Sequence, residues 1–341
     1  MKNGLCFDDV LLEPRYSDIQ TRSEIDLSSF LQQGDEGLLF KLPIISSPMD
    51  TITELDMATA LGDCGGLGVV HRYNTISEQS KIVREVSRYD GFTPIGAAIG
   101  VTNDYYERAK SLVDAGIKVL CLDVAHGHHV MVRKALKKLR NEFNSVHIMA
   151  GNVATLEAFN DLADWGADSI RCGIGGGSIC TTRIQTGHGK PTLQTIIDCA
   201  QSDRDAKLIA DGGIKNSGDI VKALAAGADF VILGSLLAGT DEAPGETVYI
   251  KGIKHKTYRG MASKEAQFDW RKKTSSLEGV SSIIPYKGSV INILEDLDKG
   301  IRSGLSYSGA RTLKEFRQKA VLTTQSPASQ IESSAHIRLI R

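Results

Sequence analysis

No run of apolar residues approaches the ~18 that a membrane span needs. The first residues, Met1-Lys2-Asn3-Gly4-Leu5-Cys6-Phe7-Asp8-Asp9, carry acids where an export signal needs an apolar stretch. A cytoplasmic chain with no membrane partner is expected. Net charge is lacking too, since 40 basic side chains face 41 acidic ones and leave −1 at pH 7. With no global field to hold nucleic acid or an anionic membrane, any phosphate must be bound locally, and the partner is expected to be small. Cysteines are few and scattered: Cys6, Cys64, Cys121, Cys172, Cys180 and Cys199 form no CxxC pair. Neither a disulfide framework nor a zinc site is indicated, and most of these thiols are expected to be buried.

What is abundant is glycine, 34 of 341 residues, above the usual ~7%. Many tight backbone turns follow from that. The remaining composition, 41% apolar and 24% charged, is that of a globular enzyme. The length suits about two ordinary domains or one α/β barrel of ~250 residues or more.

Short apolar runs bounded by Gly, Pro or Asp give eight candidate strands, at 43–47, 66–70, 95–100, 119–124, 147–151, 169–173, 208–212 and 230–235. Their richness in Ile, Val and Leu is the pattern of parallel strands covered on both faces. Amphipathic stretches at 104–115, 130–143, 156–165 and 217–226 lie between them. Three helices close on one punctuation, Ala115-Gly116-Ile117-Lys118, Trp165-Gly166-Ala167-Asp168 and Ala226-Gly227-Ala228-Asp229, which fits a left-handed glycine cap. Eight βα units favour a closed (β/α)8 TIM barrel over an open doubly wound sheet. The chain 1–341 reads as one barrel domain. Its segment 240–287 is an excursion after the eighth strand, and the charged middle, 264–273, has few apolar anchors and reads as a mobile flap.

In such a barrel the chemistry sits in loops after the strand C-termini. The sharpest loop is Gly173-Ile174-Gly175-Gly176-Gly177-Ser178-Ile179-Cys180-Thr181-Thr182-Arg183. Its glycines let backbone approach a ligand, through N–H groups for an anion or carbonyls for a cation, and Ser178 offers a hydroxyl to a phosphate. Cys180 is the candidate nucleophile; the alternative is a long turn with a buried thiol. Asp211-Gly212-Gly213-Ile214 and Leu233-Gly234-Ser235 occupy the usual phosphate position of a barrel, leaving Asp211 free to accept from ribose hydroxyls. Their bland alternative is a helix start with turn-forming glycines. Asp123 opens Asp-Val-Ala-His-Gly-His at the end of the fourth strand and suits a second ribose or a cofactor amide. His126, His128 and His129 read as rim residues, because no carboxylate or cysteine stands at ligand spacing. The basic helix face Arg133-Lys134-Lys137-Lys138-Arg140 reads as solvated.

Phe7-Asp8-Asp9-Val10-Leu11-Leu12, Ser46-Ser47-Pro48-Met49-Asp50-Thr51, the loop 175–183, Ala210-Asp211-Gly212-Gly213-Ile214, Tyr258-Arg259-Gly260-Met261 and Pro285-Tyr286-Lys287-Gly288 together resemble the IMP dehydrogenase/GMP reductase family nearly end to end. The resemblance implies a (β/α)8 barrel, usually a homotetramer, acting on GMP or IMP with a nicotinamide cofactor. It implies that Cys180 attacks purine C2. Ser178, Gly213, Gly234, Ser235 and Tyr258 resemble the phosphate binders, Asp211 the ribose ligand, and Gly260, Met261 and Glu278 the contacts to the base, with Ser47 and Met49 also on the substrate side. Asp123, Ala125, His126, Asn152, Gly173 and Gly175 look like the cofactor side. The carbonyls of Gly175, Gly177 and Cys180 resemble a site for a monovalent cation such as K+. The family usually has proline where this chain has Gly176.

Two absences point to the reductase branch, which converts GMP and NADPH to IMP and ammonia. Ile95 follows His71 by only 24 residues, so the CBS modules that dehydrogenases usually carry there have no room. Glu278 follows Gly260 by only 18, and no Arg-Tyr pair to activate water occurs between them. Thr182 and Glu278 then resemble the pair that protonates the departing amine. Other features look dehydrogenase-like: Tyr258-Arg259-Gly260-Met261, Gly100-Val101-Thr102-Asn103-Asp104 and Ser334-Ala335-His336-Ile337. Arg72 stands where many members have lysine. The alternative is therefore an IMP dehydrogenase without CBS modules, using NAD and Arg271 as a water-activating base. A catalytically silent purine-nucleotide binder is the reading from another class.

Overall fold

The computed structural model describes residues 4–33, 36–89 and 94–333. Eight strands, β1 (Ile44–Ser46), β2 (Leu67–Val70), β3 (Ile95–Ile99), β4 (Val119–Asp123), β5 (His147–Val153), β6 (Ser169–Cys172), β7 (Lys207–Asp211) and β8 (Phe230–Leu233), form a closed parallel barrel. Closure comes from β8 pairing with β1, Val231 opposite Ile44 and Leu233 opposite Ser46. The fold is the expected TIM-like barrel, and all eight strands fall on the expected runs.

Strand alternation sorts the side chains into two layers. Ile45, Val69, Cys121, Met149, Ile209 and Ile232 point into the barrel, whereas Ile44, Val70, Leu120, Leu122, Ile148, Val231 and Leu233 face the surrounding helices. Those helices, among them Tyr105–Asp114, Val130–Glu142, Leu156–Asp164 and Ser217–Ala225, lie where the amphipathic stretches predicted them. Gly116, Gly166 and Gly227 take φ of 95, 107 and 119° after three of them, as the repeated punctuation requires.

The floor of the barrel is plugged by a hairpin, Ser29–Gln33 against Glu36–Phe40. Leu31 and Phe40 enter the interior layer, and Phe40 meets Phe230 edge to face at 5.6 Å. Beside them the buried His147 ring bonds the Gln32 carbonyl through Nδ1 and Ser169 Oγ through Nε2. Burial lowers its pKa, so it is held neutral.

After β8 the excursion builds an antiparallel sheet, β9 (Thr247–Ile250), β10 (Ile253–Arg259) and β11 (Ser281–Pro285). Its charged middle is ordered into a helix, Lys264–Arg271, capped by Ser263 Oγ accepting from the Ala266 amide at 3.2 Å. The reading of few anchors missed this cap and the buried Ala266 and Gln267. At the start of the polar stretch near the C-terminus, Leu322–Thr324 pairs antiparallel with Val10–Leu12. Ser334-Ala335-His336-Ile337 lie outside the described residues. Three of the six thiols, Cys121, Cys172 and Cys199, are buried; Cys64 and Cys180 are half-buried and Cys6 is exposed. "Most buried" was therefore too strong.

Candidate active site

Cys180 begins as a local feature and becomes a site through the flap. The glycine loop turns so that the Cys180 amide donates to the Gly177 carbonyl at 3.1 Å. The returning flap then pairs with it in a short antiparallel bridge, Cys180 opposite Gly279, with the Val280 amide on the Ile179 carbonyl and the Thr181 amide on the Glu278 carbonyl. This pairing sets the Glu278 side chain beside the loop. The Cys180 thiol points at Thr182 Oγ1, 3.2 Å away, and the Thr182 hydroxyl donates to Glu278 Oε2 at 2.8 Å. Ser276 Oγ donates to the second Glu278 oxygen at 2.9 Å. The result is a path along which a proton leaves the thiol through a hydroxyl to a carboxylate.

One cleft at the strand C-termini brings together Ser47, Met49, Asp123, Ala125, Asn152, Gly173, Gly175, Gly177, Cys180, Thr182, Asp211, Tyr258, Gly260, Met261 and Glu278. Ser178, Gly213 and Ser235 line an adjoining recess that shares Gly176. Gly234 backs onto Tyr258, since a Cβ there would stand 3.2 Å from its hydroxyl. The Tyr258 hydroxyl is 3.4 Å from Ser178 Oγ, and burial raises its pKa despite that contact, so it stays a neutral hydroxyl. His126 is exposed and lines neither space.

Asp211 is not free as the spacing suggested. Its Oδ2 accepts from Asn152 Nδ2 at 2.8 Å and from Arg171 Nε and Nη2 at 3.0 and 2.8 Å, which leaves Oδ1 for a ligand. Arg171 also donates to Asp123 Oδ1 at 2.7 Å. Burial works to lower the Arg171 pKa, but the charges of Asp211 and Asp123 outweigh it and hold the value well above the usual one. Sequence reading missed Arg171. An arginine in a largely apolar strand, with Asp211 ending the neighbouring strand β7 and Asp123 ending β4, two strands away, was the available signal, because a buried guanidinium needs acids.

Close packing explains two glycines. A Cβ at Gly173 would lie 1.9 Å from the Asp211 carbonyl oxygen, and one at Gly176 2.4 Å from Thr192 Oγ1. The histidines differ from expectation in one respect: a carboxylate does reach His128, Asp161 Oδ2 at 2.8 Å from its Nε2, brought there from 33 residues away. His129 caps the next helix by accepting from the Met131 amide.

The flap is moored to the rim by Arg259, which donates to Asp50 Oδ2 at 3.0 and 2.7 Å and to Asp269 Oδ2 at 2.6 Å. Tyr73, also missed, donates its hydroxyl to the Met261 carbonyl at 2.8 Å and stacks on Trp270 with centroids 4.1 Å apart. Arg271 is exposed, packs on the Trp270 ring at 4.4 Å and does not line the cleft.

Residues 4–336 match the family model described as the IMP dehydrogenase / GMP reductase domain. The chain belongs to the IMP dehydrogenase/GMP reductase family. The inosine-5′-monophosphate dehydrogenases of Nitrosopumilus maritimus and Aquifex aeolicus are 33% and 32% identical to it, covering 98% of this chain and 98% and 96% of their own. That of Borreliella burgdorferi is 34% identical, covering 98% and 97%. A crystal structure of a GMP reductase variant from Trypanosoma brucei, in complex with guanosine 5′-monophosphate, matches with a TM-score of 0.94 at 29% identity and 99% coverage of each chain. The first two alignments run over 471 and 473 positions, more than the 341 residues present here. Those dehydrogenases thus contain stretches that this family member lacks. As a member, the chain is an NAD(P)-dependent oxidoreductase acting on a purine nucleotide.

Proposed function

We propose that the protein is a GMP reductase, converting GMP and NADPH to IMP, ammonia and NADP. The observation that carries this reading is the Cys180–Thr182–Glu278 chain of hydrogen bonds, set against an Arg271 that stands outside the cleft. An acid–base pair is at hand for an amine; a cationic base for water is not.

The steps follow from the groups present. Cys180 loses its proton through Thr182 to Glu278 and attacks purine C2, opening the C2–N3 double bond onto N3; that double bond re-forms as the amine departs. The same pair returns a proton to the exocyclic amine, which leaves as ammonia and keeps C2 bonded to Sγ. Hydride transfer to C2 is what a nicotinamide cofactor supplies when held by Asp123, Ala125 and Asn152. The C–S bond then breaks with its electron pair on sulfur, and Cys180 takes up a new proton from solvent through Glu278 and Thr182, the first having left with ammonia. The fit of that cofactor rests on the cleft running from Cys180 to the Asp123 wall, where Arg72 Nε is buried with no hydrogen-bond partner, 3.6 Å from Asp123 Oδ2. A monovalent cation fits less well. The Gly177 carbonyl, one of the three, already accepts from the Cys180 amide at 3.1 Å, and no step above needs a cation.

A second reading, IMP dehydrogenase using NAD, is favoured by the comparisons, because the dehydrogenases named above are 32 to 34% identical and the reductase 29%. Two cuvettes separate them. Loss of NADPH absorbance with GMP and stoichiometric ammonia supports the reductase; gain of NADH absorbance with IMP and no ammonia overturns it and makes the chain a dehydrogenase. The homotetramer implied by the family is checked by light scattering of the purified protein.

A further inference from the structure

Thr192 opens the helix Thr192–Cys199 and lines the recess that adjoins the cleft, together with Ser178, Gly213 and Ser235. It is only 4% exposed, and its Oγ1 is buried with no hydrogen-bond partner. That oxygen sits between two of the glycine loops: it leaves no room for a Cβ at Gly176, and a Cβ at Gly213 would stand 3.6 Å from it. A buried hydroxyl without a partner is unfavourable, and an isosteric valine would fill the same space without that cost.

The surroundings of this hydroxyl are rich in donors. Among the described residues nothing accepts from the amides of Gly176, Gly177, Ser178, Gly213 or Ile214. The helix has Pro191 at its cap, no side-chain hydrogen bond there and no acid in its first turn, so its positive end stands uncompensated at the recess. Of the charged residues lining the recess, Asp8 is paired with Lys215 at 2.6 Å, which leaves Arg183 in excess. Gly176 stands where the family usually has proline. A glycine there supplies an amide that proline lacks and leaves the space that Thr192 Oγ1 occupies.

We infer that the Thr192 hydroxyl and the Gly176 amide bind an oxygen of the nucleotide's phosphate, a contact that proline at 176 would not allow. This deepens the reading of Ser178, Gly213 and Ser235 as phosphate binders and rests on it. It does not depend on which of the two reactions the protein runs, since GMP and IMP share the group.

The test is calorimetric titration of the full-length protein with GMP and with guanosine, which lacks the phosphate. Thr192→Val should weaken GMP binding by about tenfold or more and leave guanosine unchanged, whereas Thr192→Ser, which keeps the hydroxyl, should stay close to the parent. Without ligand, Thr192→Val should melt no lower than the parent, because no hydrogen bond within the protein is lost, but the rise in Tm produced by GMP should shrink. An unchanged GMP Kd in Thr192→Val, an equal loss for guanosine, or a lower ligand-free Tm overturns the proposal. Ser178→Ala separates the two levels: if it weakens GMP and Thr192→Val does not, Thr192 alone is misassigned, and if neither does, the recess is not the phosphate's.

Discussion

The barrel wall and the flap sheet are built from similar residues and stand in opposite surroundings. Ile44, Ile45, Val69, Val70 and Ile232 are at most 3% exposed, whereas Tyr249, Ile250, Ile253 and Ile283 of β9 to β11 are 68, 42, 65 and 46% exposed. β-Branched and aromatic content makes both regions strands, but closure makes only one of them a core. Each barrel strand has a neighbour on both sides and a layer on both faces; the three-stranded sheet has free edges and one open face. Stability is therefore concentrated in the wall. The flap holds Glu278 against Cys180 through backbone pairing and a few polar moorings.

The seam between the two regions is where the largest effects are expected. Cys180→Ala should lower turnover by about three orders of magnitude or more and leave GMP binding measurable by calorimetry; retained turnover would refute covalent chemistry. From the flap side, Glu278→Gln should cost about 10²–10⁴ in kcat, with Thr182→Val comparable, because both interrupt one path. If the two losses multiplied in the double variant, the groups would be acting separately.

Away from the seam the comparison is one of stability. Phe230→Ala, inside the barrel, should destabilise by about 3–5 kcal/mol, and Phe268→Ala, 54% exposed on the flap helix, by no more than about 0.5 kcal/mol. Urea unfolding of the two variants checks this, and equal losses would mean that the flap belongs to the cooperative core. Gly176→Ala should cost an intermediate ~1–3 kcal/mol, as Thr192 must yield to the new methyl.

The smallest effect is a slope. His147 is buried neutral with a lowered pKa, so its contribution is fully present above the unfolded value of about 6.5 and is lost as pH falls through the folded one. Melting temperature should decline below that pH, and His147→Gln should remove part of the decline. A decline of the same steepness in that variant would assign it to carboxylates.

Much of the wall was legible because it is periodic and local. Short apolar runs between glycines and acids placed every barrel strand, and the glycine loop pointed to Cys180 with Thr182 two residues on. The flap was read less well. Its helix is short and charged, and what orders it, the Ser263 cap and the Arg259 contacts to Asp50 and Asp269, joins residues up to 209 apart. Arg171, Arg72 and Tyr73 were missed for the same kind of reason: nothing in their own neighbourhoods marks them as site residues until the acids and rings that meet them are in place.

The amino-acid sequence by itself determined the barrel, the glycine-rich loops on one rim and the family, because strand periodicity, turn chemistry and long motifs are properties of contiguous residues. Only the tertiary structure decided the distances by which Glu278, 96 residues from Thr182, meets the hydroxyl that faces the Cys180 thiol, that Asp211 has one oxygen to offer rather than two, and that Arg72 lines the cleft 3.6 Å from Asp123. Those facts depend on how the barrel closes and the flap returns, which sets distances between side chains that the chain itself keeps far apart.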